Sequence, residues 1–175
     1  MTFETPWRGT FKSTETDFYA VTTDGRRHSG RDAIDLDSLF GELQADDDLM
    51  LPLPAGTRIG HIHLHVADLD KAAEFYGPTV GFKPFMLNHH VRMGDVGLDY
   101  MPHTVAFNTW SGADAPQAPE GSSGLRHFTL EMPDAGSLSA LEARLAAAGT
   151  PMQPRGDGFE ATDPAGNRMR VTLAA

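Results

Sequence analysis

Arg58-Ile59-Gly60-His61-Ile62-His63-Leu64-His65-Val66, followed by Ala67-Asp68-Leu69-Asp70-Lys71-Ala72-Ala73-Glu74-Phe75-Tyr76-Gly77, decides how this chain folds. The first half alternates. Ile59, His61, His63 and His65 fall on one side of an extended chain, and Ile62, Leu64 and Val66 form an apolar face on the other. The second half has Leu69, Ala72, Ala73 and Tyr76 at helical spacing, with Asp68 or Asp70 placed to cap the first turn. The pattern predicts a strand covered on its apolar side by the helix that follows, with its imidazoles facing away. Imidazoles so placed serve as acid/base groups, metal ligands or polar residues on a wet surface.

Working outward, Gly77 and Pro78 predict the end of that helix. Strands are expected at Phe82-Lys83-Pro84-Phe85-Met86-Leu87-Asn88, over residues 91–100 with interruptions at Gly94 and Gly97, and over residues 104–110. His89 and His90 fall in the intervening hairpin and are expected to face solvent. Residues 111–123 form a Gly-, Pro-, Ala- and Ser-rich loop. Beyond it the layout returns. Gly124-Leu125-Arg126-His127-Phe128-Thr129-Leu130-Glu131-Met132-Pro133-Asp134 matches the opening stretch, with His127 on His61, Thr129 on His63 and Glu131 on His65. Leu138, Leu141, Leu145 and Ala148 mark a second helix ended by Gly149 and Pro151. Short strands follow at residues 151–153, 158–162 and 167–173. An internal repeat of this kind constrains the architecture strongly.

Residues 1–55 read as an N-terminal extension and linker. Phe18-Tyr19-Ala20-Val21-Thr22 suggests a strand and residues 34–43 a short helix. Asp46-Asp47-Asp48 and Leu51-Pro52-Leu53-Pro54 are linker-like. The net charge of −10 argues against a nucleic-acid partner, which needs clustered Lys and Arg. The chain shows no bilayer-length apolar run and no basic, apolar export start, so no membrane role and a cytoplasmic location are expected. The absence of cysteine excludes disulfides, thiolate ligands and a Cys nucleophile.

Gly60-His61-Ile62-His63-Leu64-His65-Val66, Asp68-Leu69, Phe75-Tyr76, Gly81-Phe82 and Asp163-Pro164-Ala165-Gly166-Asn167 together resemble the vicinal oxygen chelate superfamily of glyoxalases, bleomycin-resistance proteins and extradiol dioxygenases. Gly124-Leu125-Arg126-His127-Phe128 and Phe107-Asn108-Thr109-Trp110 are most similar to catechol-2,3-dioxygenase-like proteins. The resemblance implies an α+β fold over residues 56–175. Two repeated βαβββ modules, 57–110 and 124–173, would form a curved mixed sheet around a shared cleft, with helices on the outer face. It also suggests a homodimer, and residues 1–55 resemble the tail of an upstream module.

In metal-using members of such a superfamily the ligands are two histidines and a carboxylate, a set that leaves open positions on a divalent Fe, Mn or Zn ion. The resemblance places the histidines at His61 and His127 and the carboxylate where this chain has Arg170. A guanidinium cannot ligate a metal. One positive charge about 5 Å from a dication would be opposed by roughly 6 to 7 kcal/mol at an effective dielectric of 20. Glu131, Glu160 and His63 are the substitutes to weigh. Glu131 lies about 13 Å along one strand from His127, and an ion pair with His65 is its plainer expectation.

Four functions compete at this point, two of them catalytic. One is an enzyme acting on a catechol-, enol- or carbonyl-like small molecule, with metal at His61 and His127. Another is a metal-independent isomerase, cyclase or lyase in which Arg170 replaces the metal's charge, with His63 and His103 moving protons. In either, Arg168, Thr129, Asn108 and Trp110 are the expected substrate-contacting residues. The alternatives to catalysis are a small-molecule sequestering protein and an assembly module.

Overall fold

The computed structural model describes residues 2–4, 20–21, 27–28, 36–48, 50–52, 58–119 and 121–174. Its internal contacts divide the chain into Thr2–Gly60 and a second unit, His61–Ala175. The first unit contains β1 (Thr2–Glu4), β2 (Ala20–Val21), β3 (Arg27–His28) and α1 (Leu36–Gly41). β2 and β3 pair antiparallel, with Ala20 opposite His28. The remainder of the strand expected over residues 18–22, and Ile34 and Asp35 of the expected helix, lie outside the described residues.

The second unit builds one plan twice. β4 (Arg58–His65), α2 (Leu69–Glu74), a π-helical turn (Phe75–Thr79), β5 (Lys83–Asn88), β6 (Met93–Leu98) and β7 (Met101–Asn108) make the first module. β8 (Phe128–Met132), α3 (Ala135–Ala147), β9 (Met152–Arg155), β10 (Gly158–Thr162) and β11 (Arg168–Leu173) make the second. The strand orders, β4-β7-β6-β5 and β8-β11-β10-β9, are the same. In each sheet the module's first strand pairs parallel with its last, and the other neighbours are antiparallel. The fold class is therefore α+β, with two four-stranded mixed sheets in paired βαβββ modules.

Both main helices start on an aspartate cap. Asp68 accepts from the amides of Asp70 and Lys71, and Asp134 accepts from that of Ser137. The two caps are as far apart in sequence as His61 and His127, so the repeat frame holds in three dimensions.

Three expectations change. The first helix does not stop at Gly77; it runs on as the π turn through Pro78, with the Val80 amide reaching back to Phe75 O. Gly94 and Gly97 do not interrupt β6 but lie within it, because neighbours approach too closely for a side chain. A Cβ on Gly94 would sit 2.6 Å from Cε2 of Phe107, and one on Gly97 would sit 2.2 Å from Met101 O. The last strand of the first module starts at Met101 rather than residue 104 and ends at Asn108.

One core joins the modules. Leu64 and Val66 of β4, Tyr76, Phe107, Leu141 and Leu145 of α3, and Met169 and Val171 of β11 are buried in a single cluster. Each fully buried aliphatic side chain there contributes about 1.5 to 3 kcal/mol. Polar ties cross the same boundary. Tyr76 Oη donates to Asp163 Oδ2 at 2.7 Å, and Arg144 of α3 donates from Nε to Thr79 O and from Nη2 to Val80 O. The guanidinium thus satisfies carbonyls at the π turn's end. Gly81 is required beside it, since its φ is +104° and an added Cβ would lie 3.0 Å from Arg144 Nη2. Among the described residues no helix is long and apolar enough to cross a membrane.

Candidate functional site

Since Leu64 and Val66 face the core, alternation turns His61, His63 and His65 to the opposite face of β4. His61 and His63 are half-buried and His65 is exposed. A second element brings His103 to them. In the β6–β7 ladder Val96 pairs with Val105 and Leu98 with Met101, so Pro102, His103 and Thr104 together oppose Gly97. This bulge breaks the alternation of β7, and a bulge of this kind re-aims a side chain. Gly97 provides the space for it. The His103 ring ends 4.7 Å from the His61 ring, edge to face.

Behind His103 lies Asp95, which is fully buried, with its Oδ2 2.8 Å from His103 Nδ1. A carboxylate at Nδ1 fixes the tautomer and orientation of an imidazole. Burial, then the neighbouring His103 and His63, hold the His61 pKa down at about 4. His61 is therefore uncharged at neutral pH. Trp110 lies over His63 at 5.1 Å between ring centroids and is held by its indole N–H on Val91 O. Asn108 is buried and directs its side-chain oxygen to the Trp110 amide, so it positions the indole.

The second module carries the counterpart. In the ladders His63 and Asp95 both pair with Ala106, while Thr129 and Glu160 both pair with Arg170. Glu160 is thus the repeat equivalent of Asp95, and it is equally buried. Its Oε2 accepts from Arg170 Nε at 3.0 Å and its Oε1 from Gln153 Nε2 at 3.1 Å; Arg155 Nε stands 3.9 Å away. The Arg170 hydrogen bond above all holds the Glu160 pKa below its ordinary value. A cavity of about 240 Å³ opens here, lined by Arg155, Gly156, Phe159, Arg170 and Thr172.

The remaining expected residues are less central. His127 sits immediately before β8, half-buried, with a buried Nδ1 that makes no hydrogen bond among the described residues. Thr129, Glu131 and Arg168 are exposed. The expected ion pair between Glu131 and His65 does not form among the described residues. His65 instead accepts at its backbone carbonyl from Asn167 Nδ2. His89 and His90 are exposed as expected, and His89 Nε2 lies 3.3 Å from Asp70.

Whether these residues suit the metal expected at His61 and His127 turns on Arg170. The guanidinium of Arg170, where the resemblance led us to expect the third ligand, binds Glu160, one of the carboxylates weighed as a substitute. The two-histidine, one-carboxylate set is therefore not met, and Glu160 is committed as an ion-pair partner.

Asp95, Gln153 and Arg155 were not legible as site residues by motif. Asp95 did leave a signal, an acid between two glycines in an otherwise apolar strand. The 66-residue spacing of His61 and His127 would set it on Ala161, so its pairing with Glu160 comes from the ladders alone.

Residues 58–171 match the model of the Glyoxalase/Bleomycin resistance protein/Dioxygenase superfamily. A relative described as catechol-2,3-dioxygenase, from Bacillus subtilis (strain 168), is 34% identical over 134 residues. That match covers 75% of this chain and 46% of the relative, so the chain spans about half of that protein's length. A glyoxylase/bleomycin resistance protein/dioxygenase domain from Frankia sp. EAN1pec superposes with a TM-score of 0.53 at 21% identity, covering 67% of this chain and 98% of that one. The fosfomycin resistance protein FosX from Listeria monocytogenes superposes with a TM-score of 0.50 at 15% identity, covering 67% and 91%. These two structural likenesses concern the fold.

Proposed function

This chain belongs to the glyoxalase/bleomycin resistance protein/dioxygenase superfamily, and on that premise we propose that it is an enzyme acting on a small oxygenated substrate of enol or carbonyl type. Arg170 holds the oxyanion that develops on the substrate, and the His61, His63 and His103 group takes up and returns the proton. The reaction class is isomerisation or lyase chemistry. A histidine removes a proton next to a carbonyl, its electron pair passes to the carbonyl oxygen, and the guanidinium stabilises the resulting charge. The observation that carries this reading is the Arg170–Glu160 pair, a guanidinium held on a buried carboxylate at the position the resemblance gives to the third ligand.

A second reading has support of its own. The orphaned Nδ1 of His127 and the uncharged His61 suit a divalent metal held by those two histidines, and the relative's description as a catechol-2,3-dioxygenase points to ring cleavage. A bound ion there would supply Lewis-acid and redox chemistry. The experiment is to assay untagged protein, with and without chelator, against catechols and α-hydroxycarbonyl compounds in deuterated water. Exchange or isomerisation that survives the chelator and is lost in Arg170→Gln and His63→Gln supports the first reading. Ring cleavage that needs Fe(II) and is lost in His61→Ala and His127→Ala replaces it with the second. Ligand binding with no turnover under either condition leaves a sequestering protein. A small-molecule substrate, a cytoplasmic setting and a homodimer belong to the same proposal.

A further inference from the structure

Resting on the role proposed for Arg170, we infer that its cavity is a carboxylate site and that Arg155 is its second arm, so that the substrate carries one carboxylate. The Arg170 side chain is anchored to buried Glu160 through Nε alone, and among the described residues it makes no other side-chain hydrogen bond. A guanidinium has five N–H donors, so its two Nη groups remain available on a side chain whose orientation is already set. Arg155 is more than half exposed and touches Glu160 only at 3.9 Å, so most of its hydrogen-bonding capacity is also open. Both line the same cavity of about 240 Å³, beside Thr172. Glu160 is saturated by comparison, accepting at one oxygen from Gln153 and at the other from Arg170.

Charge decides between anions. Two guanidiniums and one carboxylate leave the cluster with a single net positive charge, matched by a carboxylate rather than a phosphate dianion. Planar geometry agrees, since a guanidinium edge binds a carboxylate through two parallel hydrogen bonds. The volume lies below the roughly 300 to 1,000 Å³ of drug-sized ligand sites, which selects a small molecule.

The test is an amide NMR titration of the full chain with benzoate, benzamide and phenyl phosphate. Benzoate is expected to shift the Gly156, Arg170 and Thr172 resonances saturably, with benzamide and phenyl phosphate weaker. Arg155→Gln and Arg170→Gln should each weaken benzoate by about tenfold or more, with Arg155→Lys intermediate and melting temperatures verifying the fold. No saturable benzoate shift, benzamide binding as tightly, phenyl phosphate binding more tightly, or Arg155→Gln binding like the parent would each overturn the inference. Benzoate binding lost in Arg170→Gln but kept in Arg155→Gln, in a parent protein that turns its substrate over, removes the second arm and leaves the proposed enzyme standing. Benzoate bound as expected, in a protein that turns nothing over, does the reverse.

Discussion

Tyr76 and Asp163 meet at 2.7 Å, hydroxyl to carboxylate, between the end of the first module's helix and the last turn of the second module. Asp163 also accepts from the Ala165 and Asn167 amides and from Asn167 Nδ2. Burial, then Asp163, raise the Tyr76 pKa well above its ordinary value, so the phenol stays protonated and donating. Tyr76→Phe should lower unfolding free energy by about 1 to 3 kcal/mol, because a buried carboxylate loses a donor. A urea titration should show the midpoint fall with an unchanged slope.

Gly97→Ala should destabilise by at least about 1 to 3 kcal/mol, since the new Cβ would overlap the backbone of Met101 and Pro102, which cannot rotate away. The accompanying sign is a changed His103 imidazole resonance, because the displaced segment carries that histidine. Gly77→Ala, with nothing within 4 Å of the added atom, is the control and should leave that resonance in place.

Asp95→Ala should cost about 1 to 3 kcal/mol by taking the hydrogen-bond partner from Nδ1 of buried His103. Asp95→Asn keeps the shape but not the charge. It should lower kcat more than it raises KM, because Asp95 acts through the imidazole and not on substrate. Equal loss of kcat in Asp95→Asn and in a distant variant of the same stability would show a structural role only.

Acid should weaken the fold through three identified carboxylates. Hydrogen bonds from Arg170 to Glu160, from the Lys71 amide to Asp68 and from the Ser137 amide to Asp134 each place the folded-state pKa below the ordinary 4.5 or 3.8. The unfolded chain therefore takes up protons first. The stabilisation is complete above the ordinary values and is lost progressively as pH falls from them through the lowered folded-state values. Thermal melts below pH 5 should decline with falling pH, and Glu160→Gln should decline less steeply.

Much of this was readable because it depends on local rules. The Leu64/Val66 alternation, the Asp68 and Asp134 caps and the matching of His61 to His127 follow from spacing and residue type. The unreadable parts are departures from regularity. Gly77-Pro78 reads as a helix stop, yet the wide π turn accommodates it. Gly97 reads as a strand break, yet it makes room for the three residues bulged against it. Because periodicity assumes even pairing, the last strand of the module reads as starting at Thr104, which leaves His103 just before it and gives no sign of the buried pair with Asp95. The Arg170 substitution was legible as a missing ligand, but its Glu160 partner emerged only from the β10–β11 register.

The equivalence of Asp95 and Glu160 has a consequence for how a molecule is received. Duplicated modules would offer a ligand two interchangeable ends. Here one buried acid steadies an imidazole and the other steadies a guanidinium, so the halves differ in chemistry while agreeing in geometry. A substrate with one anionic end and one proton-exchanging carbon would be handed a unique polarity. Its mirror-placed orientation would set charge against the proton-transferring side and carbon against the cation.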